Sequence, residues 1–182
     1  MAESFSNSLK RAVGITSTTS PVAHFAANTN VVGGINTTGI TTGNLIINQN
    51  FRAGAKVTGF STASGYVTVD RNSTNTAAAS SQSVKFLGVT TSYTSTAGEK
   101  AILIGGTFAN NTGSSVNLTV STYDASAGVE AQIASKIPVP YGSSFVVSDT
   151  GKTLLEGLDE VRVYCDTENA IDVNLSILKG VS

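Results

Sequence analysis

Tryptophan is missing altogether, and the 182 residues include one histidine, one cysteine, one methionine and three prolines. Each scarcity excludes something. A lone Cys165 has no internal disulfide partner, so a cysteine-stapled secreted scaffold is ruled out. One His and one Cys do not supply the roughly four nitrogen or sulfur ligands of a structural zinc site. Charged residues make up only 13% of the chain, against about 25% in an average globular domain. No apolar run approaches the ~18 residues of a membrane-spanning helix, so no membrane partner is expected. The opening MAESFSNSLKRAVG is too polar for a secretory signal.

What the chain has instead is Thr, Ser and Asn, at 24, 23 and 14 residues a third of the total. Leu, Ile, Val and Phe number 47, enough to bury a core, and global disorder is excluded. Five Asn-x-Ser/Thr sequons, beginning at Asn36, Asn72, Asn110, Asn117 and Asn174, are expected to follow from this composition rather than mark glycosylation. Net charge is −1: residues 1–99 carry six basic and three acidic side chains, residues 100–182 five basic and nine acidic. The densest basic feature is the pair Lys10-Arg11, which is no nucleic-acid footprint.

Alternation dominates the C-terminal half. Val116, Leu118 and Val120 alternate with Asn117 and Thr119; Val161, Val163 and Cys165 with Arg162, Tyr164 and Asp166; Ile171, Val173, Leu175 and Ile177 with Asp172, Asn174 and Ser176. This is the period of half-buried strands. Further strands are expected at 101–109, at 129–137 with Val129, Ala131, Ile133 and Ser135 on one face, and at 145–147. Turns are expected at 110–113, 124–128, 150–152 and 157–159, where Asn, Asp and Gly supply turn geometry. Short strands at this spacing, with no amphipathic helix between them, predict an all-β fold: an antiparallel β-sandwich, jelly-roll or Ig-like.

Residues 30–97 are richer in Gly, Thr and Ala and weaker in period. Strands are expected at 45–47, 55–60, 66–70 and 84–87, a long polar loop at 72–83 and a return linker at 90–98. The expected organisation is an N-terminal arm and first sandwich strand at 1–29, an inserted β subdomain at 30–97, and the main sandwich at 98–182. For the first fifteen residues three readings stand. Phe5, Leu9 and Ala12/Val13 fall at helical spacing; the segment can equally be a frayed terminus before a strand at 13–19; or it is an arm, with Phe5, Leu9, Lys10 and Arg11, that packs on a neighbouring subunit.

Chemistry-bearing patterns are weak. His24 lies in an apolar stretch with no Gly-x-Ser-x-Gly elbow anywhere in the chain, and Gly105-Gly106 lacks the Lys-Ser/Thr of a phosphate loop. Cys165 alternates with valines and is expected in the core as an inert side chain. Seven of the twelve acids fall between 149 and 172, and a hydrolytic carboxylate pair is formally possible from Glu156, Asp159, Glu160 or Glu168. Asp70-x-Asn72-x-Thr74 resembles the start of a calcium loop but lacks the later Gly and Glu. No catalytic residue, metal or cofactor is expected, and the chain reads as non-enzymatic.

Several segments carry a resemblance. The opening MAESFSNSLKRAVGITSTT, the stretch Gly106-Thr-Phe-Ala-Asn-Asn-Thr112, the strand Val116-Asn-Leu-Thr-Val120, the turn Ile137-Pro-Val-Pro-Tyr-Gly-Ser-Ser-Phe-Val-Val147, then Glu160-Val-Arg-Val163 and Val173-Asn-Leu-Ser-Ile-Leu178 resemble small virion structural proteins of tailed phages infecting marine cyanobacteria. The segments Gly34 to Ile46, Gly54 to Gly59, Val67 to Asp70 and Gln82 to Phe86 resemble β modules of appendage proteins from such phages. The resemblance implies a particle component made in the bacterial host cytoplasm. Its partners would be itself and other virion proteins of the capsid, neck or tail, with a host surface glycan as the alternative for an appendage module. An extended ten-residue arm would reach about 33 Å to a neighbour.

Overall fold

The computed structural model describes residues 3–147 and 152–181; the turn expected at 150–152 lies largely outside them. Fifteen strands and no helix are found among the described residues, so the all-β expectation holds. The chain forms two compact units, Met1–Gly14 with Thr90–Ser182, and Ile15–Val89.

The first unit is a sandwich. Its strands are β1 (Ser4–Val13), β8 (Thr90–Thr94), β9 (Ala101–Asn110), β10 (Val116–Asp124), β11 (Val129–Val139), β12 (Ser144–Val147), β13 (Thr153–Leu155), β14 (Glu160–Cys165) and β15 (Ile171–Lys179). One sheet runs β1-β15-β9-β12, with β13 on the same side of β9 further along; the other runs β11-β10-β14-β8. All pairings are antiparallel. From β8 onward nearly every connection crosses between sheets, and only β10–β11 closes as a hairpin within one. That order is the double Greek key of a jelly roll, with β12 and β13 as one interrupted strand.

Alternation dictates which residues fill the sandwich. Val173, Leu175 and Ile177 of β15 meet Val116, Leu118 and Val120 of β10 and Val161, Val163 and Cys165 of β14 in one buried cluster. Cys165 is buried there as expected. The rings of Phe108 and Phe145, opposite each other on β9 and β12, lie 6.1 Å apart.

The second unit contains β2 (Ile15–Phe25), β3 (Val31–Gly33), β4 (Leu45–Ile47), β5 (Val57–Ser61), β6 (Tyr66–Val69) and β7 (Ala79–Gly88), in the order β4-β7-β2-β3-β6-β5. The two ends of that path meet. Leu45 bridges Lys56, Gly43 N–H donates to the Val57 carbonyl at 2.8 Å, and Ile46 N–H to that of Ala55 at 3.0 Å. The sheet therefore curls into a nearly closed barrel, which removes its edges. Ala23, Phe25, Val32, Phe51, Val67 and Phe86 fill it, with Phe25 edge-on to Phe51 at 5.4 Å.

Several expectations need correction. The inserted unit spans 15–89, not 30–97, because β2 pairs along β7 and not with the sandwich. The expected return linker holds β8, which pairs with β14. The polar loop at 72–83 ends early, since β7 begins at Ala79. The helix and the frayed end do not hold over Ser4–Val13, which pairs with β15 as a strand. On β11, Val129, Ala131 and Ile133 are exposed and Ala134 is buried; register shifts between Leu118 and Ser121 on the facing strand change which residues point inward.

Two backbone features fix the sandwich. Gly14, where the units join, has φ +133°, and a side chain there would meet the Thr167 carbonyl. Buried Asn110 ends β9, and its Nδ2 donates to the carbonyls of Ser114 (2.7 Å), Val139 (2.9 Å) and Pro140 (3.2 Å), while Oδ1 accepts from Thr112 N–H and Oγ1. Asn110→Asp would replace that donor with a carboxylate oxygen facing three carbonyl oxygens in a buried position. The expected cost is about 3 kcal/mol or more of stability, read as a fall in the denaturant midpoint; an unchanged midpoint would contradict the assignment.

Candidate functional site

Three features of the described residues have the makings of a site: the outer face of the β1-β15-β9 sheet, a charged network on the other sheet, and a polar cleft in the barrel unit.

On the outer face, alternation is inverted at β1. Ser6 and Ser8 face the sandwich, and Ser8 Oγ donates to the Ser92 carbonyl of β8 at 2.6 Å. Phe5 and Leu9 therefore face out, 80% and 65% exposed. Phe5 is opposite Leu178, Leu178 opposite Ile102, and Ile102 opposite Leu154, which is 50% exposed. Four apolar side chains thus cross the face in one row. A second row, Leu9-Asn174-Thr107-Val146, is apolar at both ends. Of the four residues expected on a subunit-contacting arm, all lie on β1: Phe5 and Leu9 on this face, Lys10 opposite core-facing Val173, and Arg11 exposed at a bulge. The arm is docked as an edge strand of its own sheet rather than extended away from it.

The charged network is built by the β10–β11 hairpin and β14. Arg162 Nη1 pairs with Glu130 at 2.8 Å, and its Nε with Glu160 at 2.6 Å. Its guanidinium stacks 3.7 Å above the Tyr123 ring. Glu130, with a side chain only 4% exposed, also accepts from Ser121 Oγ (2.6 Å) and Tyr164 Oη (3.0 Å). Burial first, then the charge and hydrogen bond of Glu130, push the Tyr164 hydroxyl up, so it stays a donor. Burial lowers the Arg162 pKa, but the bonds to Glu160 and Glu130 outweigh it and the net direction is up. Every member of this network is engaged with another, which is the arrangement of a structural lock on the sheet face.

The carboxylates considered for hydrolysis are dispersed. Asp159 is buried, its two oxygens accepting from the Ala125 and Glu156 amides. Glu160 is held by Arg162 and Thr91, and Glu156 is exposed with Lys100 Nζ at 3.6 Å. Glu168 is exposed. His24 is also exposed, its ring lying over the backbone of Gly33 and Gly34.

The cleft in the barrel unit has a volume of about 630 Å³ and is lined by Asn28, Arg52 and residues 70–74. It contains the calcium-like Asp70-x-Asn72-x-Thr74 segment. Asp70 accepts from Arg71 Nε (3.1 Å) and Nη2 (2.8 Å) and from Lys56 N–H (2.9 Å), so a guanidinium already sits where a cation would bind. No cluster of three metal-ligating side chains occurs among the described residues.

Composition gave no signal for the charged network. Glu160-x-Arg162-x-Tyr164 is legible as the polar side of a strand, but Glu130 arrives from 30 residues away through the hairpin that sets it opposite Tyr123. The outer apolar face was partly legible, since Phe5 and Leu9, one from each row, were singled out while Leu178, Ile102 and Leu154 were not.

Two outcomes follow. Glu130→Gln strips a nearly buried charge from Arg162 and is expected to cost about 2–3 kcal/mol in chemical denaturation; a neutral result would show the network to be dispensable. Burial raises the Asp70 pKa, but the Arg71 and Lys56 contacts outweigh it and hold the folded value below 3.8. Its stabilising contribution is therefore present above about pH 4 and lost as pH falls through the folded value. Asp70→Asn is expected to flatten that acid limb of a pH–stability curve, and an unchanged limb would refute it.

Searches for similar proteins leave these features without a precedent to lean on: no family model, no curated protein and no solved structure matches the chain.

Proposed function

We propose that the chain is a non-enzymatic structural component of a tailed-phage virion, carried in repeated copies on the head, neck or tail as a decoration or neck/tail accessory protein. The observation that carries this reading is the strand order of the sandwich, a jelly roll, an architecture shared by viral capsid and lectin domains. Fold alone does not assign function. The support added here is the clustering of the resembling motifs at one structural point: Asn110 of the Asn-Asn-Thr segment binds the carbonyls of Val139 and Pro140 in the Ile-Pro-Val-Pro turn. A low charge density suits packing of many copies, where repulsion between like surfaces would accumulate. The exposed apolar row gives such packing a surface to bury. The partners in this reading are further copies and neighbouring virion proteins, with neither nucleic acid nor membrane.

The polar cleft favours a second reading, a receptor- or glycan-binding appendage module. Arg52, Asn28 and residues 70–74 offer the hydroxyl and amide groups that sugars bind, though none of the lining residues is an aromatic on which a sugar ring stacks.

One experiment separates the two. Mass spectrometry of gradient-purified particles, followed by antibody labelling in the electron microscope, is expected to find the chain at regular sites on head, neck or tail body. Labelling confined to the distal tips of host-contacting fibres, with antibody blocking adsorption, supports the appendage reading instead. Absence from purified particles overturns both.

A further inference from the structure

Sheet edges are where this sandwich meets the outside. An open edge presents unpaired N–H and C=O groups that invite another strand, and proteins usually blunt it. Among the described residues most edges here are blunted. β8, β12 and β13 have five, four and three residues. β11 is long but carries Pro138, a left-handed Lys136 (φ +50°) and register shifts against β10. β1 differs. It has ten residues and no proline, and residues from Ser4 to Lys10 run in unbroken register with β15 before a bulge ends the regular stretch. Among the described residues no strand pairs with its other side.

We propose that this edge pairs with β1 of a second copy, antiparallel, about a twofold axis through Asn7, joining two outer sheets into one. Residues equidistant from such an axis face each other. For the two outer faces to remain on one side, the axis must pass through a residue rather than between two. An axis through Asn7 sets Phe5 opposite Leu9 of the other copy, Ser6 opposite Ser8, Ser4 opposite Lys10, and Glu3 opposite Arg11. Both exposed hydrophobes gain an apolar neighbour and both flanking charges an opposite one. Moving the axis to Ser6 puts Leu9 opposite Glu3. Moving it to Ser8 puts Phe5 opposite Arg11. Of these registers only the one through Asn7 faces Phe5 with Leu9 and Glu3 with Arg11, and it adds Leu9 of the other copy to the end of the Phe5-Leu178-Ile102-Leu154 row.

The inference deepens the assembly reading by naming the contact between copies, and its test needs no particle. Light scattering on the purified full chain at up to about 100 µM is expected to give twice the 18.6 kDa monomer mass. Asn7→Cys sits on the axis within disulfide reach of itself, while the native Cys165 is buried. Oxidation is expected to cross-link Asn7→Cys and to leave Asn174→Cys, on the same face but off the axis, monomeric on denaturing gels. Arg11→Glu is expected to weaken dimerisation at least about tenfold, and adding Glu3→Arg to restore it. These positions are exposed, and an unchanged thermal melt of each variant confirms folding. A monomer throughout, an oligomer that Asn7→Cys does not cross-link, or a double reversal that fails to restore pairing overturns the contact. Any of these leaves incorporation into particles, read separately by mass spectrometry, untouched.

Discussion

The sandwich depends at one end on a single buried amide. Asn110 is where β9 leaves one sheet and where the chain bends toward β10 in the other, and Val139 is where β11 runs out. Asn110 is buried at that point, so both ends of its side-chain amide need partners. The Asn110 amide meets Ser114, Val139 and Pro140 with one nitrogen and holds the 110–112 turn with its oxygen. Neither a hydrophobe nor an acid offers a donor and an acceptor in that geometry. Pro140 belongs to the same solution, since it presents its carbonyl to the amide and has no N–H of its own to be left unpaired.

The same economy explains the unusual composition. Asn36 Oδ1 accepts from Thr38 N–H, Asn48 from Asn50, Asn110 from Thr112, and Asp124 from Ser126 and Ala127. These are side chains that close their own turns. An Asn-x-Thr sequon is, at Asn36 and Asn110, a turn whose third residue donates back to the first. Fifteen strands among the described residues need many such turns, and short polar side chains make them without adding charge. The few charges that remain near the core are gathered: Arg162 is shared by Glu130 and Glu160 and covered by Tyr123.

How much was legible follows from parity. β10, β14 and β15 were plain in the sequence because each buries an apolar residue at every second position. β1 was opaque for the opposite reason: serines fill its inward positions, and Phe5 and Leu9, four apart and both outward, imitate a helix. β8 is Thr-Thr-Ser-Tyr-Thr, a polar string in which Ser92 is nonetheless buried. Without an apolar period it looked like a linker, and the boundary of the inserted unit moved with it. β11 was placed correctly, with Val129 and Ala131 on one face, but register shifts past Ala131 hand the inward positions to Ala134 and Ile137, and a bulge leaves no mark in composition. Of the site features, the residues on β1 were visible as exceptions to the pattern, and the Glu130–Arg162 pair was invisible because only the hairpin register brings it together.

An inside-out strand is informative because it is costly. Turning Ser6 and Ser8 inward while exposing Phe5 and Leu9 forgoes roughly 1.5–3 kcal/mol for each large apolar side chain left in water. A monomeric domain recovers that stability by exchanging the residues, and nothing in the geometry of β15 forbids it: Ile177, opposite Ser6, already faces the core and would accept an apolar neighbour. The row does not stop at β1 either. It continues over Leu178, Ile102 and Leu154 on three further strands that otherwise obey inward-apolar alternation. A single exposed phenylalanine is ordinary. A row in register across four strands, beginning at the one long edge without a proline or an early bulge, has the pattern of a surface whose hydrophobic residues are meant to be covered by something other than their own chain.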